Sequence, residues 1–148
     1  MTTIVLADDH AAVRRHVSAL LEEEPDFRII GEAADGLETT QTVERLRPDV
    51  LVLDLVMEGM NGIEVTRRVA RSSPKTGIVI YSMYHNKEYV IEALQAGAKA
   101  YILKGSDSAE LVHAIHEVSA GHIYLPEPLL QYGTEAYQPM PENGDPGL

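Results

Sequence analysis

A parallel β-sheet covered by helices on both faces is the fold class these 148 residues predict, and two observations predict it. Short aliphatic runs of strand length recur five times, and the stretches between them carry apolar residues at helical spacing. Prolines then stand where helix must give way to strand.

The runs are "TIVLA" near Ile4, "FRIIGEA" near Ile29, "VLVL" at Val50 to Leu53, "GIVIYS" near Ile80 and "AYIL" at Ala100 to Leu103. Between them, Val13, Val17, Leu20 and Leu21 share one helical face, as do Val90, Ile91 and Leu94. Leu111, Val112, Ile115 and Val118 mark the last helix, and Asp107 with Glu110 three residues later reads as its capping box. Pro25, Pro48 and Pro74 stop helices just before strands begin. Strands alternating with helices imply an open doubly wound α/β domain, five parallel strands with five flanking helices. Right-handed crossovers narrow the topology, and the flavodoxin-like strand order 2-1-3-4-5 is the expected one. After Gly121 the texture changes: five of the eight prolines lie there and no long apolar period does. The expected division is therefore a folded domain over 1–121 and a linker over 122–148, with a short helix around Leu129 to Tyr137.

Composition limits the function classes. A net charge of −11, from 23 acidic against 12 basic residues, lacks the basic footprint of a nucleic-acid groove. DNA as a partner would require residues outside this chain. Cysteine is absent, so there is no disulfide framework and no thiolate metal site, which suits a reducing cytoplasm. The start "MTTIVLADDH" has no basic n-region, and no apolar run approaches the roughly 20 residues that span a bilayer. The expectation is a soluble, cytoplasmic protein without a membrane partner. Neither G-x-x-x-x-G-K-[ST] nor G-x-G-x-x-G occurs, and "ADDHAA" stands where a flavin phosphate would need hydroxyls and glycine.

In an open parallel sheet, ligands bind beyond the carboxyl ends of the strands, where strand order reverses. The first strand ends in Asp8 and Asp9, the third in Asp54, the fourth in Ser82 and the fifth in Lys104. Neighbouring first and third strands would bring three carboxylates together, and such a group repels itself unless a cation sits among them. Mg²⁺ answers that need, since it takes oxygen ligands and is held by one or two carboxylates plus a phosphate. Ser82 and Lys104 then make sense as a hydroxyl and an ammonium for phosphoryl oxygens, and Asp54 as a nucleophile that accepts the group. A lone Asp at a strand end is usually a cap or loop residue. Matching chemistry at four strand ends is a far stronger signal.

These residues resemble the response-regulator receiver (CheY-like) domains of two-component signalling, over roughly Thr3 to Gly121. "VLADDH" resembles the acidic pair, "LVLDLVMEGMNG" the phosphoacceptor loop, "IVIYSM" the hydroxyl position and "AYILKG" the lysine. The resemblance implies that Asp54 is phosphorylated by a sensor histidine kinase. It implies that Asp8, Asp9, Asp54 and the backbone carbonyl of Val56 hold Mg²⁺ or Mn²⁺. Ser82 and Lys104 would contact the phosphoryl group, and Tyr101 would be an aromatic switch that changes rotamer as Ser82 moves. "SMYHNKEYVIEALQAGAKAYILKGSDSAEL" is similar to the NarL/FixJ subfamily, which joins a receiver to a LuxR-type helix-turn-helix domain. Homodimerisation on phosphorylation, and control of transcription through an output domain absent from this chain, follow from that resemblance. The implied readout surface is helix four, strand five and helix five, or helices one and five; the sequence does not choose. A stand-alone receiver acting by protein contact is the alternative.

Four positions depart from the family pattern or modulate it. Glu58 stands where the family often has proline, Met83 follows Ser82 where many members carry a smaller residue, and Val56 and Tyr84 occupy positions that govern water attack. Neither Val56 nor Tyr84 offers an acid or amide to orient water, so slow self-dephosphorylation is expected and not enzymatic turnover. A phosphatase of the haloacid-dehalogenase type would need a second aspartate where Val56 stands. His113 and His116 read as a solvated helix face, His10 as a helix-start residue pointing to solvent, and Arg14 and Arg15 as surface charge or a kinase-steering patch.

Overall fold

The computed structural model describes residues 1–57 and 59–136; Glu58 and Tyr137 onward lie outside the described residues. Five strands form one parallel sheet: β1 (Thr2–Ala7), β2 (Phe27–Ala33), β3 (Val50–Leu53), β6 (Gly77–Ser82) and β7 (Ala100–Leu103). Their order is β2-β1-β3-β6-β7, which is 2-1-3-4-5 when only sheet strands are counted, as expected. Two further strands, β4 (Val56–Met57) and β5 (Met60–Asn61), pair antiparallel in the loop after Asp54. No sequence period foretold that ladder, because two residues are too few to show one.

Alternation along the strands builds two apolar layers. Val5, Leu51, Leu53, Ile78, Ile80 and Tyr101 face one side, while Ile4, Leu6, Val50, Val52, Val79 and Ile102 face the other. Helices α2 (Gly36–Leu46), α3 (Gly62–Ser72) and α4 (Lys87–Ala96) cover the first through Val43, Val65, Val69, Val90 and Leu94. Helices α1 (Ala11–Glu22) and α5 (Ser108–Ser119) cover the second through Val17, Leu21, Leu111 and Ile115. Burial of such side chains stabilises by about 1.5–3 kcal/mol each, so both layers are needed to offset chain entropy.

Helix ends follow the capping logic unevenly. At α5, Asp107 accepts from the Ala109 N–H (3.0 Å), but Glu110 does not complete the box, because its carboxylate accepts the Tyr124 hydroxyl instead. At α2, the cap residue Asp35 accepts from the Glu38 N–H while the Glu38 carboxylate reaches one residue further back, to the Ala34 N–H. After α5 the chain continues through a 3₁₀ turn at Glu127–Leu129 into α6 (Leu130–Ala136), which packs on α4.

Gly62, where β5 enters α3, fixes the loop beneath the carboxyl rim. Its N–H donates to the Leu55 carbonyl (3.0 Å), and a Cβ there would stand 2.5 Å from the Leu55 backbone. Gly62→Ala is therefore expected to cost about 1–3 kcal/mol by overpacking, read as a lower urea midpoint. An unchanged midpoint would show that this loop adapts freely.

Candidate functional site

The rim residues are held by backbone bonds that continue the sheet ladder one step past each strand. The Asp8 N–H donates to Ala33 (3.1 Å), the Asp54 N–H to Ala7 (3.0 Å) and the Lys104 N–H to Ser82 (2.8 Å). Asp8, Asp54 and Lys104 are thus fixed by main chain before their side chains interact. Lys104 Nζ then reaches Asp8 Oδ2 at 2.7 Å and Asp54 Oδ2 at 3.2 Å. Ligand atoms of Asp8, Asp9, His10 and Asp54 lie within 4.8 Å of one another, so the described residues contain a group able to hold a divalent cation.

The charges perturb one another. Burial pushes the Asp54 carboxyl above its ordinary 3.8; Lys104 pulls it back, Asp8 adds to the rise, and the Val56 N–H on Oδ1 offsets part of it. Burial pulls the Lys104 ammonium down, but the bond to Asp8 and the charges of Asp54 and Asp8 outweigh that and leave it raised. Three carboxylates against one ammonium leave an excess of hard anionic oxygen, the donor set that suits Mg²⁺ or Mn²⁺.

Ser82 is fully buried at the end of β6, and its Oγ accepts the Tyr84 N–H (3.1 Å). Tyr101 is wholly buried, with its hydroxyl donating to the Tyr84 carbonyl. Burial pushes its phenol up to about 12, with Ser82 hydrogen bonding pulling the other way. Tyr101 therefore stays a neutral donor at any physiological pH. Met83, Tyr84 and Val56 are exposed around the site at 75%, 43% and 47%.

Two residues do more than the sequence reading allowed. His10 is exposed as expected, yet its Nδ1 lies 2.9 Å from Asp9 Oδ1 and 3.2 Å from Asp8 Oδ1. Arg14 is not plain surface charge: it is 19% exposed, its Nε donates to Glu32 (3.0 Å) and its Nη1 to the Asp8 carbonyl. The adjacency "DDH" was the available signal for His10; the pairing of Arg14 with β2 left none. His113 meets the Tyr124 ring and His116 the Phe27 ring.

The description "Response regulator receiver domain" matches residues 4–116. The chain belongs to the response-regulator receiver family. Among solved receivers, it is 35% identical to a LuxR-family two-component response regulator from Aurantimonas sp. SI85-9A1, with a TM-score of 0.85 and 91% and 96% of the two chains covered. It is 31% identical to the signal receiver domain of the putative response regulator NarL from Mycobacterium tuberculosis, TM-score 0.78, covering 82% and 98%. It is also 41% identical over 121 residues to the transcriptional regulatory protein LiaR of Bacillus subtilis (strain 168), covering 82% of this chain and 57% of LiaR. This receiver is of the NarL/FixJ (LuxR-type) kind, a phosphorylation-responsive module of a two-component system. The chain spans a little over half the length of the curated relatives it matches.

Because Asp54 in the folded receiver keeps its proton to higher pH than in the unfolded chain, its charge costs stability that grows as pH rises through the folded pKa. Asp54→Asn is expected to raise the urea midpoint at about pH 7 without divalent ions, the gain shrinking toward about pH 4 as both states protonate. A lower midpoint at neutral pH would contradict this balance of burial, Asp8 and Lys104.

Proposed function

We propose that Asp54 is the phosphoacceptor of this receiver and that a sensor histidine kinase is its donor. The observation that carries the reading is Lys104 Nζ bridging Asp8 and Asp54, an ammonium placed to meet the oxygens of a group arriving on Asp54. An Asp54 carboxylate oxygen bonds to phosphorus as the P–N bond of the donor phosphohistidine breaks. The imidazole leaves with the bonding pair and takes a proton. Lys104 and the Ser82 hydroxyl stabilise the phosphoryl oxygens as charge shifts onto them. Asp8, Asp9, Asp54 and the Val56 carbonyl are the proposed ligands of Mg²⁺ or Mn²⁺, which supplies charge neutralisation when bound. His10 stands beside this acid pair as an orienting neighbour of Asp8 and Asp9.

Val56 is aliphatic and Tyr84 lacks an acid or amide, so neither activates water, and the acyl phosphate is held and not hydrolysed quickly. That separates a switch from a phosphatase. In the longer protein, the phosphorylated receiver is proposed to dimerise and control a LuxR-type DNA-binding domain in the cytoplasm, the transcriptional role borne by the name of LiaR. No described helix is long and apolar enough to cross a membrane.

Incubation with acetyl phosphate and Mg²⁺ is expected to add one phosphoryl group by intact mass, with no adduct in Asp54→Asn or without divalent ion. The adduct should persist for minutes or longer. Loss within seconds, or an adduct surviving in Asp54→Asn, would overturn the assignment. Ser82→Ala is expected to slow phosphorylation by about a hundredfold or more, the scale of one lost transition-state donor.

A further inference from the structure

Beyond Gly121 the chain folds back onto the receiver. Tyr124 makes a parallel bridge to Ala100 and its N–H donates to the Lys99 carbonyl (2.9 Å), so the segment runs along the outer edge of β7. Its hydroxyl donates to Glu110 of α5, and its ring meets His113 edge-on with centroids 4.9 Å apart. Leu125 and Leu129 then enter the apolar layer that holds Val90, Leu94 and Tyr101. Helix α6 lies on α4 with Ala136 buried, and Lys87 pairs with Glu135 at 3.0 Å. The segment is fixed at α5, β7 and α4, on both sides of the edge strand that carries Tyr101.

Tyr101 belongs to an edge strand yet has no exposed surface. Edge positions ordinarily face solvent on one flank; here the segment from His122 to Ala136 closes that flank. Inside, Tyr101 holds the Tyr84 carbonyl, Tyr84 donates its N–H to Ser82, and the Tyr84 ring lies on Tyr89 of α4 (5.4 Å). One short relay therefore joins the covered tyrosine to the hydroxyl at the rim.

We propose that residues 122–136 are a latch: docked on α4 and β7, they keep Tyr101 inward and so strengthen phosphoryl binding beside Asp54. The inference rests on the proposed roles of Asp54 and Ser82. Binding a phosphoryl group requires an ordered β6–α4 loop, and a loop already held through Tyr101 loses less freedom on binding. Linkage makes the effect mutual, so an occupied site tightens the latch by the same factor.

Beryllofluoride with Mg²⁺, a reversible phosphoryl mimic, provides the test on the full chain. Saturating it should slow amide hydrogen exchange across 122–136 severalfold, the Tyr124 amide included. Unchanged or faster exchange there, with binding confirmed at the rim, would overturn the latch and leave the acceptor assignment standing. Failure of the mimic to bind at all would remove both. Gly133→Leu supplies a second arm, because even a Cβ at that position would lie 2.7 Å from Leu125 Cδ1. It should expose 122–136 to fast exchange and weaken beryllofluoride binding about fivefold or more. Glu135→Lys, at an exposed pair, should give a smaller loss that Lys87→Glu restores in the double variant. Full affinity in a Gly133→Leu protein whose latch exchanges freely would overturn the coupling.

Discussion

Lys104 Nζ between Asp8 and Asp54 is the interaction on which the site depends. Two carboxylates buried to 8% exposure of their side chains cannot both stay ionised at such range without a cation between them. Lys104 can serve only because its own main chain is anchored to β6, through Ser82, at the end of the neighbouring strand. The order β2-β1-β3-β6-β7 therefore has an electrostatic consequence. It seats two acids on adjacent central strands and delivers the ammonium from the edge, across the strand that carries the hydroxyl.

The excess charge left at this rim makes binding there conditional. A phosphoryl group brings further negative charge toward three carboxylates, and one ammonium does not balance it. Coulomb repulsion at a few ångströms in a partly buried site amounts to several kcal/mol at an effective dielectric near 20. On the proposed assignment, a divalent ion among Asp8, Asp9 and Asp54 would reverse the sign, so that cation and phosphoryl group would be admitted together. Arg14 stands beside this cluster, its guanidinium bound to the Asp8 carbonyl and to Glu32 and not to the Asp8 carboxylate.

Much of this was legible in the sequence because parallel strands buried on both faces write themselves as unbroken aliphatic runs. Asp8, Asp54, Ser82 and Lys104 could be read as rim residues since each directly follows, or ends, such a run. Features set by only one or two residues were not legible. The β4–β5 ladder has no period to detect, and Glu110 fits a capping box equally well whether or not Tyr124 competes for it. Full burial of Tyr101 was hidden for another reason. "AYIL" specifies which face Tyr101 takes, but what covers an edge strand is decided by chain more than twenty positions later.

That later chain looks like a linker by pattern, with prolines dense and no long apolar period, and such a pattern measures what a segment can bury alone. Leu125, Leu129 and Ala136 bury themselves in a layer built by α4 and β7, so the segment borrows a core it could not form. Buried Leu125, Leu129 and Ala136, the contacts of Tyr124 with Ala100, Lys99, Glu110 and His113, and an exposed Lys87–Glu135 pair hold it, the ion pair being worth at most about 1 kcal/mol. A strap held by so local a set of contacts, lying over the tyrosine that reaches the rim loop, is on the proposed reading an element whose population an acyl phosphate on Asp54 would shift.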